Sequence, residues 1–435
     1  MTAPVPTADA ARRLPLVLRN RAFGIVWLGQ VLTQAAVRMF QVGVSWWLVA
    51  YAVTGGRGLA SGLFMAVSTL PAVALAPVVA RAVARFAHNA LLRTAAATAG
   101  TAAAALAAWA YTSGLPLAAA YAATLALAAC QAFFDPCLTT SVPELVDDED
   151  IEAATGFELS TQSLASLGGA LLGALIVDRA GVAGLAAGCA AAYALAAALI
   201  ATVRFRTPAE APAEGAGEPE GRRTLRGILA GLPYVRRILI CFTAANLFTT
   251  AVFVVIPLYT KSVLGDGGGT IALLEASLGT GTLIGSFTGA RVPGRPTTLG
   301  SCLLGVMALA LALPGLFAGR YVLAGALVAA GWCVGVIGVR FVALFQRLVP
   351  AADKPGFFAV MQAVLGATFP VASLLFGLLG DHLSAQTLCL IQAAGLVPAA
   401  CALALLREQD ADVQPSADTP STDQSAQLAA TGGAR

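Results

Sequence analysis

At 435 residues, 58% hydrophobic and only 11% charged, the chain falls far below the roughly 25% charge of a soluble domain. Its mean hydropathy of +0.79 places it in a bilayer, and a formal net charge of +3 gives no electrostatic ground for a nucleic-acid partner. The eight cysteines lie in apolar stretches without CxxC spacing and read as small buried hydrophobes, with no metal site expected.

Residues 1–14 are polar and rich in Pro and Ala, without the short apolar core and small-residue cleavage site of a signal peptide. A spanning helix needs about 20 mainly apolar residues. Runs of that kind lie at 22–50, 59–83, 90–111, 115–141, 151–177 and 181–203. A second set follows at 235–259, 271–290, 297–317, 321–345, 356–379 and 385–406. The pattern predicts an all-α membrane protein of twelve transmembrane helices in two six-helix halves. Between the halves, Arg206–Arg223 is rich in Pro, Ala, Glu and Gly and reads as a flexible linker. The expected organisation is an N-terminal segment (1–20), a first half (21–205), a linker (206–230), a second half (231–407) and a disordered polar tail (408–435).

Lys and Arg bias sets orientation. With the N-terminus inside, only Arg57, Arg179, Lys261 and Arg320 of the 26 basic residues fall on the outer side. Arg38 and Arg340 lie within spans, and the remainder fall inside. Both termini and the linker are therefore expected in the cytoplasm of a multi-pass protein. A chain with only two lysines, Lys261 and Lys354, has the composition of a GC-rich bacterial genome, which points to a bacterial plasma membrane. The halves echo each other weakly: Asp150 and Asp353 precede one spanning helix in each, and Asp178 and Asp381 follow it. Paired six-helix halves are one of the repeat plans of secondary transporters.

Polar side chains in spanning helices are costly and face a bundle interior or a water path. In the first span, Gln30, Gln34, Arg38, Gln41 and Ser45 recur at helical spacing and share a face. Thr124, Gln131, Asp135 and Thr139 do so in the fourth, and Thr243, Asn246 and Thr250 in the seventh. Asp135 lies about nine residues, roughly 13 Å, from the inner end of its helix, and Glu158 at similar depth in the next. Burial disfavours the charged form of a carboxyl, so both are candidate proton carriers. The competing readings are an Asp-Pro kink for Asp135 and a structural ion pair for Glu158. Arg38, roughly 12 Å above Asp135 along the membrane normal, is expected to face substrate or a neighbouring polar group. Glu275 and Arg340 lie near helix ends and are long enough to snorkel. The acids Asp147–Asp150 read as a solvated loop, and so does His88. Ala165, Gly169 and Gly173, like Gly281, Gly285 and Gly289, recur every fourth residue and allow helix backbones to approach closely.

The segment FFDPCLTTSVPELVDDEDIEAATGFELSTQSLASLGGALLGALIV resembles the helix 4–loop–helix 5 region of the major facilitator superfamily. The branch it is most similar to is that of bacterial exporters of enterobactin and macrolides. LRNRAFGIVWLGQVLTQ, WWLVAYAVTGG and STLPAVALAP resemble the same branch. In the helix 2–3 loop motif Ala80 replaces the glycine, Ala84 the aspartate and His88-Asn89 the basic pair, leaving Arg85 as the remnant. Gly156, Gly169 and Gly173 match the helix 5 antiporter motif, whose proline is Ala170 here.

The resemblance implies a central cavity lined by helices 1, 4, 7 and 10. It makes Gln34, Arg38, Gln41, Gln131, Asn246, Trp332 and Arg340 substrate-cavity candidates, and it implies that helices 5 and 8 meet at their glycines. The chain has no GxxxxGK[ST] loop, so it holds no P-loop ATP motor. With two histidines and no His/Cys/Asp/Glu cluster, neither an enzyme nor a cofactor is expected. The expected function is proton-coupled export of a small amphiphilic compound, such as a drug-like molecule, natural product or siderophore, by a monomer. Metabolite uptake by the same fold, or a transport-inactive sensor or assembly partner, are the alternatives.

Overall fold

The computed structural model describes residues 16–147, 150–205, 232–350 and 354–406; at 151–153, 155–164, 166, 355, 356 and 359 it describes the backbone alone. The expected linker and tail fall outside the described residues. Helices dominate, and there is no strand among the described residues. In chain order they are α1 (Arg21–Trp47), α2 (Arg57–Ala74), α3 (His88–Ser113) and α4 (Leu117–Leu145). A single assigned helix, Ile151–Ala201, follows; its two arms, 151–180 and 182–201, are α5 and α6. Then come α7 (Pro233–Thr250, continued by Val252–Tyr259), α8 (Gly268–Thr288), α9 (Pro296–Leu316), α10 (Arg320–Leu348), α11 (Lys354–His382) and α12 (Ala385–Ala404).

Local chemistry accounts for several boundaries. Asn20 caps α1, its side chain accepting from the Phe23 N–H at 3.1 Å. The second predicted span is broken at Leu75 and resumes as Ala76–Arg85; Pro77 has no N–H to continue the ladder but suits the first turn of a new helix.

Eleven described helices are long and apolar enough to span, one of them Leu167–Ala201. That segment is 35 residues, about 52 Å at helical rise, against a hydrocarbon core of about 30 Å. It is not straight: Gly181 has φ 66° and ψ −176°. Contacts with α1 show the chain turning back there. On the way out, Gly169 lies against Ala35 and Gly173 against Met39 and Gly43. On the return, Leu185 meets Gly43, Cys189 the Ala36 carbonyl and Ile200 Gly29. The order along α1 reverses, so the two arms are separate crossings, which makes twelve among the described residues.

Helices α1–α6 pack as one group and α7–α12 as another, and the groups meet along two seams, α2 against α11 and α5 against α8. The bundle end where α6 stops and α7 starts is called here the linker end, and the opposite one the far end.

The glycine ridges do not face where the family resemblance placed them. Gly169 and Gly173 pack on α1, and Gly281 and Gly285 on Val328 and Trp332 of α10. The expected Gly169–Gly285 approach between α5 and α8 is therefore corrected: these glycines hold each group together internally. The close crossing between groups is α2–α11, where a Cβ on Gly58 or Gly62 would run into the carbonyl oxygens of Gly377 or Ser373. All the cysteines are free; Cys302 and Cys401 are exposed, against the expectation that every one is buried.

Candidate transport pathway

The polar stripe of α1 turns inward and divides between two cavities. Gln34, 7% exposed, donates its Nε2 to Asp135 Oδ1 at 2.6 Å. Gln131, one turn before Asp135 on α4, donates to the same oxygen. Pro136 sits inside α4 without breaking it; it has no N–H to offer the Ala132 carbonyl, which loosens the ladder beside Asp135. Asp135, Gln131, Gln41 and Ala132 border a cavity of about 740 Å³ of empty space, part of it open to solvent, inside the first group; Tyr193 of α6 also lines it. The Asp-Pro step and the polar stripe thus coincide at one place.

Arg38 points to a second cavity, about 960 Å³, that lies in the α5–α8 seam. Its Nη1 donates to Gln41 Oε1 at 2.9 Å, and its guanidinium carbon lies 5.4 Å from the Phe253 ring centre. Nη2 is 4.0 Å from Glu275 Oε2. Glu275 does not snorkel: its side chain is 8% exposed and turned to Arg38. Periodicity could not reveal this, because the partners lie on helices of different groups. Gln41 borders the first cavity and bonds the arginine of the second, linking the two.

Asn246 borders a third, largely apolar cavity with Phe242, Met307 and Phe341, inside the second group. Its Nδ2 donates to Leu365 O at 3.0 Å and Thr368 Oγ1 at 2.6 Å, tying α7 to α11. Thr243 and Thr250 bond carbonyls of their own helix, so the α7 stripe is mostly satisfied locally. Trp332 donates to Thr288 Oγ1 at 3.0 Å and Arg340 to Gly294 O at 2.8 Å. Neither borders these three cavities. The side chain of Glu158 lies outside the described residues.

At the linker end, Arg85 is exposed and meets no acid among the described residues. His88 is not a solvated loop residue. It begins α3, its side chain is 18% exposed, and Nδ1 lies 2.5 Å from Glu144 Oε1 on α4. Asp150 is likewise paired, with Arg19.

At the far end, the two echoing aspartates act across the seams. Neither α2 nor α8 has a side-chain cap of its own. Asp381, ending α11, accepts the Gly58 and Leu59 N–H groups of α2 at 2.7 and 3.1 Å. Asp178, ending α5, accepts the Gly268 N–H of α8, Trp46 Nε1 at 2.6 Å and Tyr51 Oη at 2.8 Å. A carboxylate at a helix N-terminus satisfies orphan N–H groups and opposes the dipole. Each group thus caps a helix of the other.

Twelve crossings among the described residues, in two groups with cavities that carry a few polar side chains between their helices, define a membrane transporter of the twelve-helix class. A sequence profile of the Major Facilitator Superfamily matches residues 26–304, and the chain belongs to that family. Solved structures of similar fold include the nucleoside transporter NupG, 14% identical over 88% of this chain and 99% of that one, TM-score 0.64. An auto-inhibited POT family peptide transporter is 12% identical over 92% and 98%, TM-score 0.67. A D-xylose–proton symporter is 13% identical over 88% and 96%, TM-score 0.66. No curated protein sequence is a significant match.

Proposed function

We propose that this protein exports a small amphiphilic compound from the cytoplasm across a bacterial plasma membrane in exchange for protons, acting as a monomer with Asp135 as proton carrier. The linker end, and both termini with it, face the cytoplasm on this reading, as the Lys and Arg bias favours. The units that rock against one another are 21–205 and 231–407. Outward direction rests on the exporter-like helix 4–5 segment and the glycines of α5. Proton coupling agrees with the name of the xylose–proton symporter of similar fold. Amphiphilic substrate fits two unlike cavities, one with the polar groups Asp135, Gln131 and Gln41 on an otherwise apolar wall and an apolar, aromatic one at Asn246.

The observation that carries the reading is Asp135 itself, a carboxylate bordering a cavity among the helices of the first group, with two amide donors on one of its oxygens. A charge in a span costs about 2.5–3.5 kcal/mol on insertion scales and marks a transport path. Asn keeps the shape and most hydrogen bonds but cannot ionise. Asp135→Asn should fold, retain downhill substrate exchange and lose pH-gradient-driven flux in proteoliposomes. Glu158→Gln is the paired measurement. Normal gradient-driven flux by Asp135→Asn would make Asp135 a structural residue of the α4 kink. Cysteines placed in the linker should escape membrane-impermeant label applied to intact cells, and labelling there would invert the topology.

A further inference from the structure

Arg38 and Glu275 form a buried ion pair whose geometry is loose. A guanidinium has five N–H donors. Arg38 spends one on Gln41, reaches Glu275 only at 4.0 Å, and leaves its buried Nε without an acceptor among the described residues. Glu275 has no described partner but Arg38. Buried pairs repay their desolvation only with close geometry and satisfied remaining atoms, and this pair has neither. Thr282 and Ser286, also at the cavity wall, bond carbonyls of their own helix. The spare donors therefore belong to Arg38, and they open on a cavity walled by Phe253, Leu167 and Leu278.

We propose that the α5–α8 cavity binds an organic carboxylate with an apolar body, whose head group takes the Arg38 fork from Glu275. The inference rests on the transport reading and narrows its substrate to an amphiphilic anion. A carboxylate matches the planar guanidinium with two parallel hydrogen bonds, which Glu275 does not make from 4.0 Å. The apolar body would lie against Phe253 and Leu167. Glu275 then acts as a specificity-determining competitor: its charge holds Arg38 in the empty site and repels any anion that is not well seated.

The test is equilibrium binding of 2-naphthoate and of its neutral counterpart 2-naphthamide to purified full-length protein in nanodiscs, at one pH near 7.5. Thermal unfolding confirms that each variant is folded. Wild type should bind the acid at least about tenfold more tightly than the amide. Arg38→Gln should lose that preference, and Arg38→Lys, which keeps the charge without the fork, should lose part of it. Glu275→Gln should bind the acid about tenfold more tightly than wild type, since the competing charge is gone, and leave amide binding unchanged. A purely structural pair predicts the reverse, with weaker binding of both probes after Glu275→Gln. Equal binding of acid and amide, unchanged or weaker acid binding by Glu275→Gln, or no acid binding by any protein would each overturn the proposal. Gradient-driven flux of neutral amphiphiles in proteoliposomes, lost in Asp135→Asn, would in those cases show that the transport reading survives.

Discussion

The two seams between the helix groups are built differently. Along α2–α11, backbone meets backbone: Gly58 and Gly62 nest against Ser373, Gly377 and Gly380, and Asp381 caps α2. Along α5–α8, the close approach at a described glycine is at the far end, where Gly268 sits on Ala174 and Asp178. Farther toward the linker end the α5–α8 contact passes through a side chain, Leu167 on Gly279, and the helices part around the Arg38 cavity. One seam is a backbone-to-backbone contact; the other is closed at one end and hollow beyond it. A pair of groups held this way has a place to open that its symmetry alone does not predict.

The largest effect that would sharpen this contrast comes from Gly62→Leu or Gly377→Leu. Carbonyl oxygens stand where the new side chain must begin, and backbone cannot rotate aside as a side chain can. Overpacking of this kind costs about 1–3 kcal/mol or more, so little folded, monodisperse protein should survive size-exclusion chromatography. A well-folded, transporting Gly62→Leu variant would break the comparison.

Next come the trans caps. Asp178→Ala removes three hydrogen bonds and Asp381→Ala two, one of each set exposed; a buried hydrogen bond to a charged group contributes about 1.5–3 kcal/mol. Thermal unfolding should fall in both, more in Asp178→Ala. A cysteine at Thr282, in the cavity wall, should become more reactive to impermeant label from the far side only in Asp178→Ala. Equal labelling in the two variants would show that the seams open alike.

A smaller effect is expected at Gly279. A Cβ there meets the Leu167 side chain alone, its Cδ1 at 2.9 Å, the far end of a flexible side chain. Gly279→Ala should keep transport and shift stability by about 0.5 kcal/mol or less, measured by thermal unfolding; loss of folding would make this seam as tight as the other. The smallest is Arg340→Gln, which removes one bond to a loop carbonyl outside the cavities. Flux and melting should both stay near wild type.

Much of the fold was legible in the chain because the bilayer imposes length. The run at 90–111 became His88–Ser113 and that at 385–406 became Ala385–Ala404. Helical spacing also put Gln34 and Asp135 on inward faces. What spacing cannot supply is the identity of the opposite wall. It showed that Gly169 needs a close neighbour but not that the neighbour is α1. It offered Glu275 a route to the headgroups by reach alone, whereas an arginine 237 positions earlier in the sequence holds it inside. His88 found Glu144, an acid on a different helix from the one the loop motif would use, so the missing Ala84 carboxylate said nothing about it. Asp178 and Asp381 were visible as an internal echo, but a cap supplied by another helix leaves no local signature.

The turn at Gly181 bears on how the protein enters its membrane. No side chain crowds that residue, yet its φ of +66° with extended ψ is a conformation that glycine alone adopts without strain. Two helices joined by so short a corner have almost no loop between them. Such a corner suits insertion of the two as a hairpin, with Asp178 and Arg179 near its tip. Each charge costs about 2.5–3.5 kcal/mol at the bilayer centre on insertion scales, while Leu, Ile and Val return about 0.3–0.6 each. A lone helix would meet that cost with its own residues; a hairpin draws on both arms at once, so truncating the chain within α6 should strand α5 on the side where it was synthesised.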